Sequence, residues 1–327
     1  MWKWLTYPVV PHPRARWLLY PLLLVALWLW QGQRLLQAGP NNGFDLSGSL
    51  VPVSQIEPGG PPRDGIPAID HPRFLNASQA DFLRDEDRVL GIDRNGLQKA
   101  YPVRVLNYHE IVNDRFGDTA VVVSYCPLCG TGMAFLAARG NENLNFGVSG
   151  LLYNSDVLLY DRQTESLWSQ LLGRAVTGPL KGQRLQQIPM EHTSWADWRR
   201  RHPRTLVLST DTGYQRDYSR SPYAGYADSD RLMFGVSRLD RRFPPKEWVL
   251  GIELGGEAKA YPFSTLARGP ARFEDRLGGK TIRILFDASH RSARAYLGEQ
   301  AIPVTTGFWF AWAAFHPDTQ VYTGPSP

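Results

Sequence analysis

Two words recur in this chain 160 residues apart: Val89-Leu-Gly-Ile92 and Lys99-Ala-Tyr-Pro102 return as Val249-Leu-Gly-Ile252 and Lys259-Ala-Tyr-Pro262. Whatever unit one copy folds into, the other must be able to fold into as well. The turn residues Arg94-Asn95-Gly96 and Leu254-Gly255-Gly256 stand between β-prone runs, which predicts a β-hairpin in each copy. The match continues from Asp114–Val123 to Asp275–Ile284. It then pairs Trp195…Pro203 with Trp309…Pro317, where the offset has fallen to 114, so the second copy lacks some 46 residues of the first.

The extra residues follow Cys126-Pro-Leu-Cys129-Gly130, which holds the only two cysteines of the chain. On the hairpin alignment Gly269 stands opposite His109 and Asp287 near Cys126, so the second copy is expected to keep the framework without the chemistry. The pair follows the apolar run Ala120–Tyr125, which predicts a turn at a strand end. Two residues between the sulfurs let them reach bonding distance, as a redox pair requires. The same spacing presents two thiolates to one metal ion. Gly130-Thr-Gly132 breaks any helix at the pair, which argues against a thioredoxin-like setting. A structural disulfide across so short a loop gains little chain entropy.

The neighbouring groups fit either reading. His109 is the candidate proton acceptor for Cys126, with Asn107 and Glu110 beside it. The polar stretch that includes Tyr153, Asn154, Arg162, Glu165 and Trp168 is the expected pocket wall, set between apolar strands. A zinc or copper site would draw on Cys126, Cys129, His109 and His192. Gly147-Val-Ser-Gly150 is not a hydrolase elbow.

Trp17–Trp30 is fourteen residues without a charge, preceded by Lys3, Arg14 and Arg16 and bounded by Trp at both ends. That pattern predicts a single-pass anchor in the inner (cell) membrane with the bulk of the chain periplasmic or extracytoplasmic. An oxidising compartment suits a thiol pair, and two cysteines exclude a disulfide-rich scaffold. The expected organisation is a cytoplasmic tip and anchor over 1–38, a Gly/Pro-rich tether over 39–64, a first lobe over 65–235 and a shorter second lobe over 236–327. The formal charge of +5 is dispersed, and Arg199-Arg-Arg201 reads as a solvated helix face, so no nucleic-acid partner is expected.

Short β-prone runs bounded by Gly, Asn, Asp or Pro dominate, with helices expected over 77–83, 103–112 and 193–201. The predicted class is α+β: mainly antiparallel β with few short helices, in two related lobes from an internal duplication.

The segments GIPAIDHPRF, KAYPVRVLNYHEIVND, SYCPLCG, FGVSGLLYNSDVLLYDRQTESLWSQ, HTSWADW and RDYSRSPYAGY together resemble the bacterial and archaeal family called domain of unknown function 3179, over about residues 62–322. The family carries no established activity. Some members are described as selenoproteins, and selenium in this motif would imply a redox-active position. Members usually have Trp where this chain has Tyr108. The reading that follows is a thiol/disulfide redox protein with Cys126 attacking and Cys129 resolving, served by a redox partner protein. The rivals are a copper- or zinc-binding protein and a non-catalytic envelope scaffold.

Overall fold

A computed structural model describes residues 41–324, apart from Asn141. The predicted anchor over 1–38 lies outside the described residues, among which no helix is long and apolar enough to cross a membrane.

Both predicted hairpins form, and in the same register: Val89 faces Pro102 as Val249 faces Pro262. Their tips need two successive residues with positive φ, and Asn95 (52°) with Gly96 (74°) and Gly255 (61°) with Gly256 (83°) supply them. Each hairpin runs into a four-residue helix, Val103–Leu106 or Phe263–Leu266, and then into a second hairpin, Ile111–Phe116/Thr119–Cys126 or Arg272–Leu277/Lys280–Asp287. A tryptophan helix closes each unit, Trp195–Arg201 over Gly91 and Trp309–Phe315 over Gly251. A Cβ on Gly91 would lie 2.3 Å from the Trp198 ring, and one on Gly251 2.2 Å from the Trp312 ring. Trp198 donates its indole N–H to Thr205 and Trp312 donates its own to Thr319, both at 2.9 Å.

The hairpins are distributed over interlocked sheets. Glu191–Ser194, Arg88–Arg94, Leu97–Pro102, Leu206–Leu208 and Phe74–Asn76 form one. A seven-stranded sheet begins with Gln320–Val321, Glu257–Pro262, Trp248–Leu254 and Thr305–Phe308. It continues through Thr131–Leu136, Thr119–Cys126 and Ile111–Phe116, so the cysteine-bearing strands share a sheet with the later hairpin through the pair Thr306↔Gly132. A third sheet runs Ile56–Pro58, Phe146–Tyr153, Asp156–Asp161, Leu167–Ser169, Arg174–Ala175 and stacks on the cysteine turn. The strand pairs are antiparallel except two: Leu206–Leu208 runs parallel to Leu97–Pro102, and Gln320–Val321 runs parallel to Glu257–Pro262. The chain is therefore an α+β, mostly β protein with few short helices.

Three local expectations change. The helix expected over 103–112 ends at Leu106, because Glu110 takes φ +56° and the β-branched Ile111 and Val112 continue as a strand. The helix expected over 77–83 is one 3₁₀ turn, Ala77–Gln79. Residues 41–58, expected within a tether, are packed: Phe44, Leu46, Val51 and Ile56 are buried against Leu151, Leu158 and Tyr160. Their apolar side chains, spaced among Gly, Pro and Ser, give loop composition but enough buried area to dock the segment. The third expected helix forms as Trp195–Arg201, capped by the Ser194 hydroxyl, which accepts the Asp197 N–H.

Candidate functional site

The strand Thr119–Cys126 delivers Cys126 to a turn that returns as Thr131–Leu136. Gly130 makes the turn with φ +64°, and a Cβ there would come within 3.1 Å of the Phe308 and Trp248 rings. The turn is held from both sides. Phe308 N–H donates to the Cys129 carbonyl at 2.8 Å. Gln170 bridges the two strands, accepting from the Thr131 hydroxyl at 2.7 Å and donating to the Ser124 hydroxyl at 3.0 Å.

A second hairpin tip meets the sulfurs. Phe146–Tyr153 and Asp156–Asp161 are joined by Asn154 (φ 51°) and Ser155 (φ 63°), a two-residue turn that would ordinarily project into water. Here Asn154, Ser155 and Asp156 are all buried. The thiols of Cys129 and Cys126 donate to the Ser155 carbonyl at 3.3 and 3.7 Å. The loop beyond Tyr218 covers the tip: Ser155 Oγ donates to the Phe234 carbonyl at 2.7 Å, and Asn154 Oδ1 accepts the Ser237 N–H at 2.7 Å.

Asp156 completes the group. A carboxylate oxygen of Asp156 and the sulfurs of Cys126 and Cys129 lie within 4.8 Å of one another. Its Oδ2 accepts the Leu171 N–H at 3.0 Å, while its Oδ1 has no partner among the described residues. Burial pushes the Asp156 carboxyl up to about 7, against the Leu171 N–H and the thiols, which favour its charged form. Burial also raises both thiols, Cys129 well above its ordinary range and Cys126 less so, because Cys129 donates toward Cys126. No cation is among the groups acting on either sulfur.

Glu110 stands across the strand pair, its carbonyl accepting the Tyr125 N–H at 2.7 Å. Burial, and then the charge of Asp156, push its carboxyl up to about 8. Glu110 also lines a mostly apolar recess of about 250 Å³ whose wall includes Leu128, Leu152, Val157, Tyr223 and Phe234.

The remaining expected residues divide. His109 does not serve the sulfurs: its Nδ1 pairs with the Pro67 carbonyl at 2.8 Å and its Nε2 with the Tyr218 hydroxyl at 2.6 Å, so both ring nitrogens are committed. His192 is buried between Tyr125 and Trp248 with neither nitrogen hydrogen-bonded among the described residues. Neither histidine joins the Cys126, Cys129, Asp156 ligand group. Asn107 bonds Ser221 at 3.2 Å. Tyr153 packs edge-on against Phe315. Trp168 donates to Asp161 at 2.8 Å in the core. Arg162 and Glu165 form half-exposed ion pairs with Asp70 and Arg63, away from the thiols.

Asp287 and His290 fall where the later hairpin would place the counterparts of the cysteines, and they lie near Asp197. Asp197, however, accepts from Thr193, Arg200 and Arg201, which commits its carboxylate to the helix.

Sequence reasoning passed over Asp156. The signal was present: Phe146–Tyr153 and Asp156–Asp161 lack the two-residue alternation of a half-exposed hairpin, which marks strands buried on both faces and hence a buried tip.

Fold and site define a mostly-β protein built around a buried dithiol and a carboxyl group. The chain belongs to the family described as Protein of unknown function (DUF3179), whose model matches residues 63–301. No curated protein and no solved structure matches the chain.

Proposed function

We propose that this chain is a thiol/disulfide redox protein, tethered to the cell membrane by Trp17–Trp30 with its bulk outside the cytoplasm. Cys126 attacks, Cys129 resolves, and Asp156, rather than His109, accepts the proton. The observation that carries the reading is the Asp156 carboxyl packed against both thiols, with no cation among the described groups acting on either sulfur. A dithiol and a disulfide are both neutral, so a dry site can hold either form without a stranded charge. A carboxyl that titrates near 7 can accept a thiol proton at neutral pH, and Cys126, the less strongly raised thiol, is the one to yield it first. A redox partner, protein or small molecule, closes the cycle.

A second reading rests on the same three residues. Cys126, Cys129 and Asp156 offer zinc or copper three ligands, with neither His109 nor His192 contributing. Two thiolates and a carboxylate around a divalent ion leave one net negative charge buried without a counterion, which makes the redox reading the better one.

We also propose that Arg88–Leu208 and Trp248–Val321 descend from one duplicated unit. The support is the shared hairpin register, the Trp198/Gly91 and Trp312/Gly251 packing, and the recurrence of a Lys–Asp–Tyr group, buried as Lys99–Asp114–Tyr101 and half-buried as Lys259–Asp275–Tyr261.

The test is anaerobic equilibration with a dithiothreitol redox buffer, with free thiols counted by alkylation and mass. Both thiols should disappear together and reappear on reduction, at a rate that rises as pH passes through about 7. Asp156→Asn should abolish that rise and slow oxidation roughly 10- to 100-fold. Stoichiometric metal lost in Asp156→Ala would replace the redox reading with the metal one. Thiols that never pair and bind no metal would leave a scaffold.

A further inference from the structure

Cys126 and Cys129 are both fully buried, so a redox partner reaches them only if part of the fold moves aside. One part is built to do so. Between Leu208 and Trp248 the chain forms no helix or strand. Residues 223–237 of that stretch lie on the hydrophobic cluster that contains both cysteines: Tyr226 belongs to it, and Tyr223, Leu232, Phe234 and Val236 pack against it. From Arg231 to Ser237 exposed and half-buried residues alternate, with Leu232, Phe234 and Val236 inward, which is the pattern of an extended strand. Yet the segment joins none of the sheets among the described residues. The backbone-to-backbone hydrogen bonds of residues 210–240 join residues three apart within the segment itself.

Side chains hold this strap in place. Ser155 Oγ donates to the Phe234 and Gly235 carbonyls at 2.7 and 3.2 Å, and Asn154 Oδ1 accepts the Ser237 N–H at 2.7 Å. Lys246 Nζ gathers the middle of the strap, donating to the Tyr226 and Arg231 carbonyls at 2.6 and 2.7 Å and to that of Ser229. A cover attached in this way can lift without breaking a β ladder, so it opens more readily than the fold unfolds. The latch also meets the sulfurs. Ser155, whose hydroxyl holds the strap, is the residue whose carbonyl accepts both thiols. A disulfide has no S–H to donate, so oxidation takes these two donors from a buried carbonyl. The Asn154–Ser155 tip is then less stable in its closed position, and so is the strap it holds.

We propose that residues 223–237 are a strap that opens to admit the redox partner, and that Ser155 sets its position by the state of the pair: closed over the dithiol, loosened over the disulfide. This rests on the redox reading above and adds how that site is regulated. The oxidant is an incoming disulfide. With the strap open, the Cys126 thiolate, its proton on Asp156, attacks one sulfur of that disulfide, whose S–S bond breaks and releases one thiolate. Cys129 attacks the Cys126 sulfur in turn, the bond between the pair forms, and the second incoming sulfur leaves. Two electrons have passed to the incoming sulfurs, which depart as two thiols once they take up the protons of Cys126 and Cys129. The balance is one dithiol and one disulfide on each side. Reduction returns the S–H donors to the Ser155 carbonyl, and the strap closes. A reduced pair is thereby shielded, and an oxidised pair is presented to its reductant.

The experiment uses the full chain in detergent. On the reduced protein, alkylation of Cys126 and Cys129 by iodoacetamide is followed by mass under native conditions in the wild type, Ser155→Gly, Lys246→Met and Gly91→Ala. Glycine keeps the positive φ of position 155 and removes the hydroxyl latch. Methionine keeps an apolar stem at 246 and removes the ammonium. Gly91→Ala disturbs the Trp198 packing, away from the strap, and controls for a general loss of stability. Alkylation should be about tenfold faster in each strap variant and change less than about twofold in Gly91→Ala. Wild-type rates in both strap variants, or an equal gain in Gly91→Ala, overturn the strap. Trypsin then compares the two redox states, since Arg231 and Arg238 are exposed. After oxidation by oxidised dithiothreitol, cleavage at these sites should be about fivefold faster than in the reduced protein, and that difference should vanish in Ser155→Gly. A pair that oxidises with no change in cleavage overturns this inference and leaves the redox reading standing. A pair that does not oxidise overturns the redox reading and the coupling with it.

Discussion

At the scale of single residues the site is governed by two carboxyls whose charged form burial disfavours. Glu110 and Asp156 sit in folded chain at about 8 and about 7, above ordinary values of 4.5 and 3.8. A group whose proton is held more tightly in the folded state contributes fully at low pH and loses its contribution as pH rises toward the folded value. Stability should therefore fall between about pH 4 and pH 8. Glu110→Gln should remove the part of that slope lying between 4.5 and about 8, a difference on the order of a few kcal/mol. Urea midpoints at pH 5 and pH 8.5 would show it, and an unchanged slope in the variant would mean that Glu110 is ionised in the folded protein. Cysteines announce themselves by scarcity, so Cys126 and Cys129 were legible in the sequence. Asp156 and Glu110 were not legible as site groups of this kind. A carboxyl's role depends on what surrounds it, and here the surroundings come from the buried Asn154–Ser155 tip and from the Tyr223–Phe234 cover, both remote from the cysteines along the chain. His109 misled for the converse reason. Nearness in sequence placed it beside the pair, while the positive φ of Glu110 and the Pro67 and Tyr218 hydrogen bonds engage its ring elsewhere.

At the scale of elements the hairpins were readable because a two-residue turn with Asn-Gly or Gly-Gly fixes register locally. The helix expected over 103–112 failed because its apolar spacing is shared by a short helix followed by a strand, and only the buried β-branched residues decide between them. The two tryptophan helices offer a quantitative check on the packing. Each lays an indole face on a hairpin glycine, with no room for a methyl group. Gly91→Ala and Gly251→Ala should therefore each destabilise by about 1–3 kcal/mol, read from urea unfolding of the two variants. Neutrality at one position alone would show that the two packings, alike in geometry, differ in how far the helix can shift.

At the scale of the molecule the sheet pairings across long sequence distances were the least legible part, since nothing local in Thr305–Phe308 specifies Thr131–Leu136 as its neighbour. Those pairings make the cysteine turn depend on residues almost 180 positions away. Phe308 donates its N–H to the Cys129 carbonyl, packs at a tilt against Trp248 with 4.7 Å between ring centroids, and covers Gly130. Its side chain is 2% exposed and belongs to the cluster that holds both cysteines. Truncating it leaves a cavity beside the thiols, at a cost of about 3–5 kcal/mol. If the later segment supports the earlier one in this way, Phe308→Ala should both lower the urea midpoint and speed alkylation of Cys126 and Cys129 under native conditions, because local opening at the turn becomes easier. Labelling at the wild-type rate in a variant that is destabilised would mean instead that the turn keeps its shape without Phe308, held by Gln170 and by the Ser155 carbonyl alone.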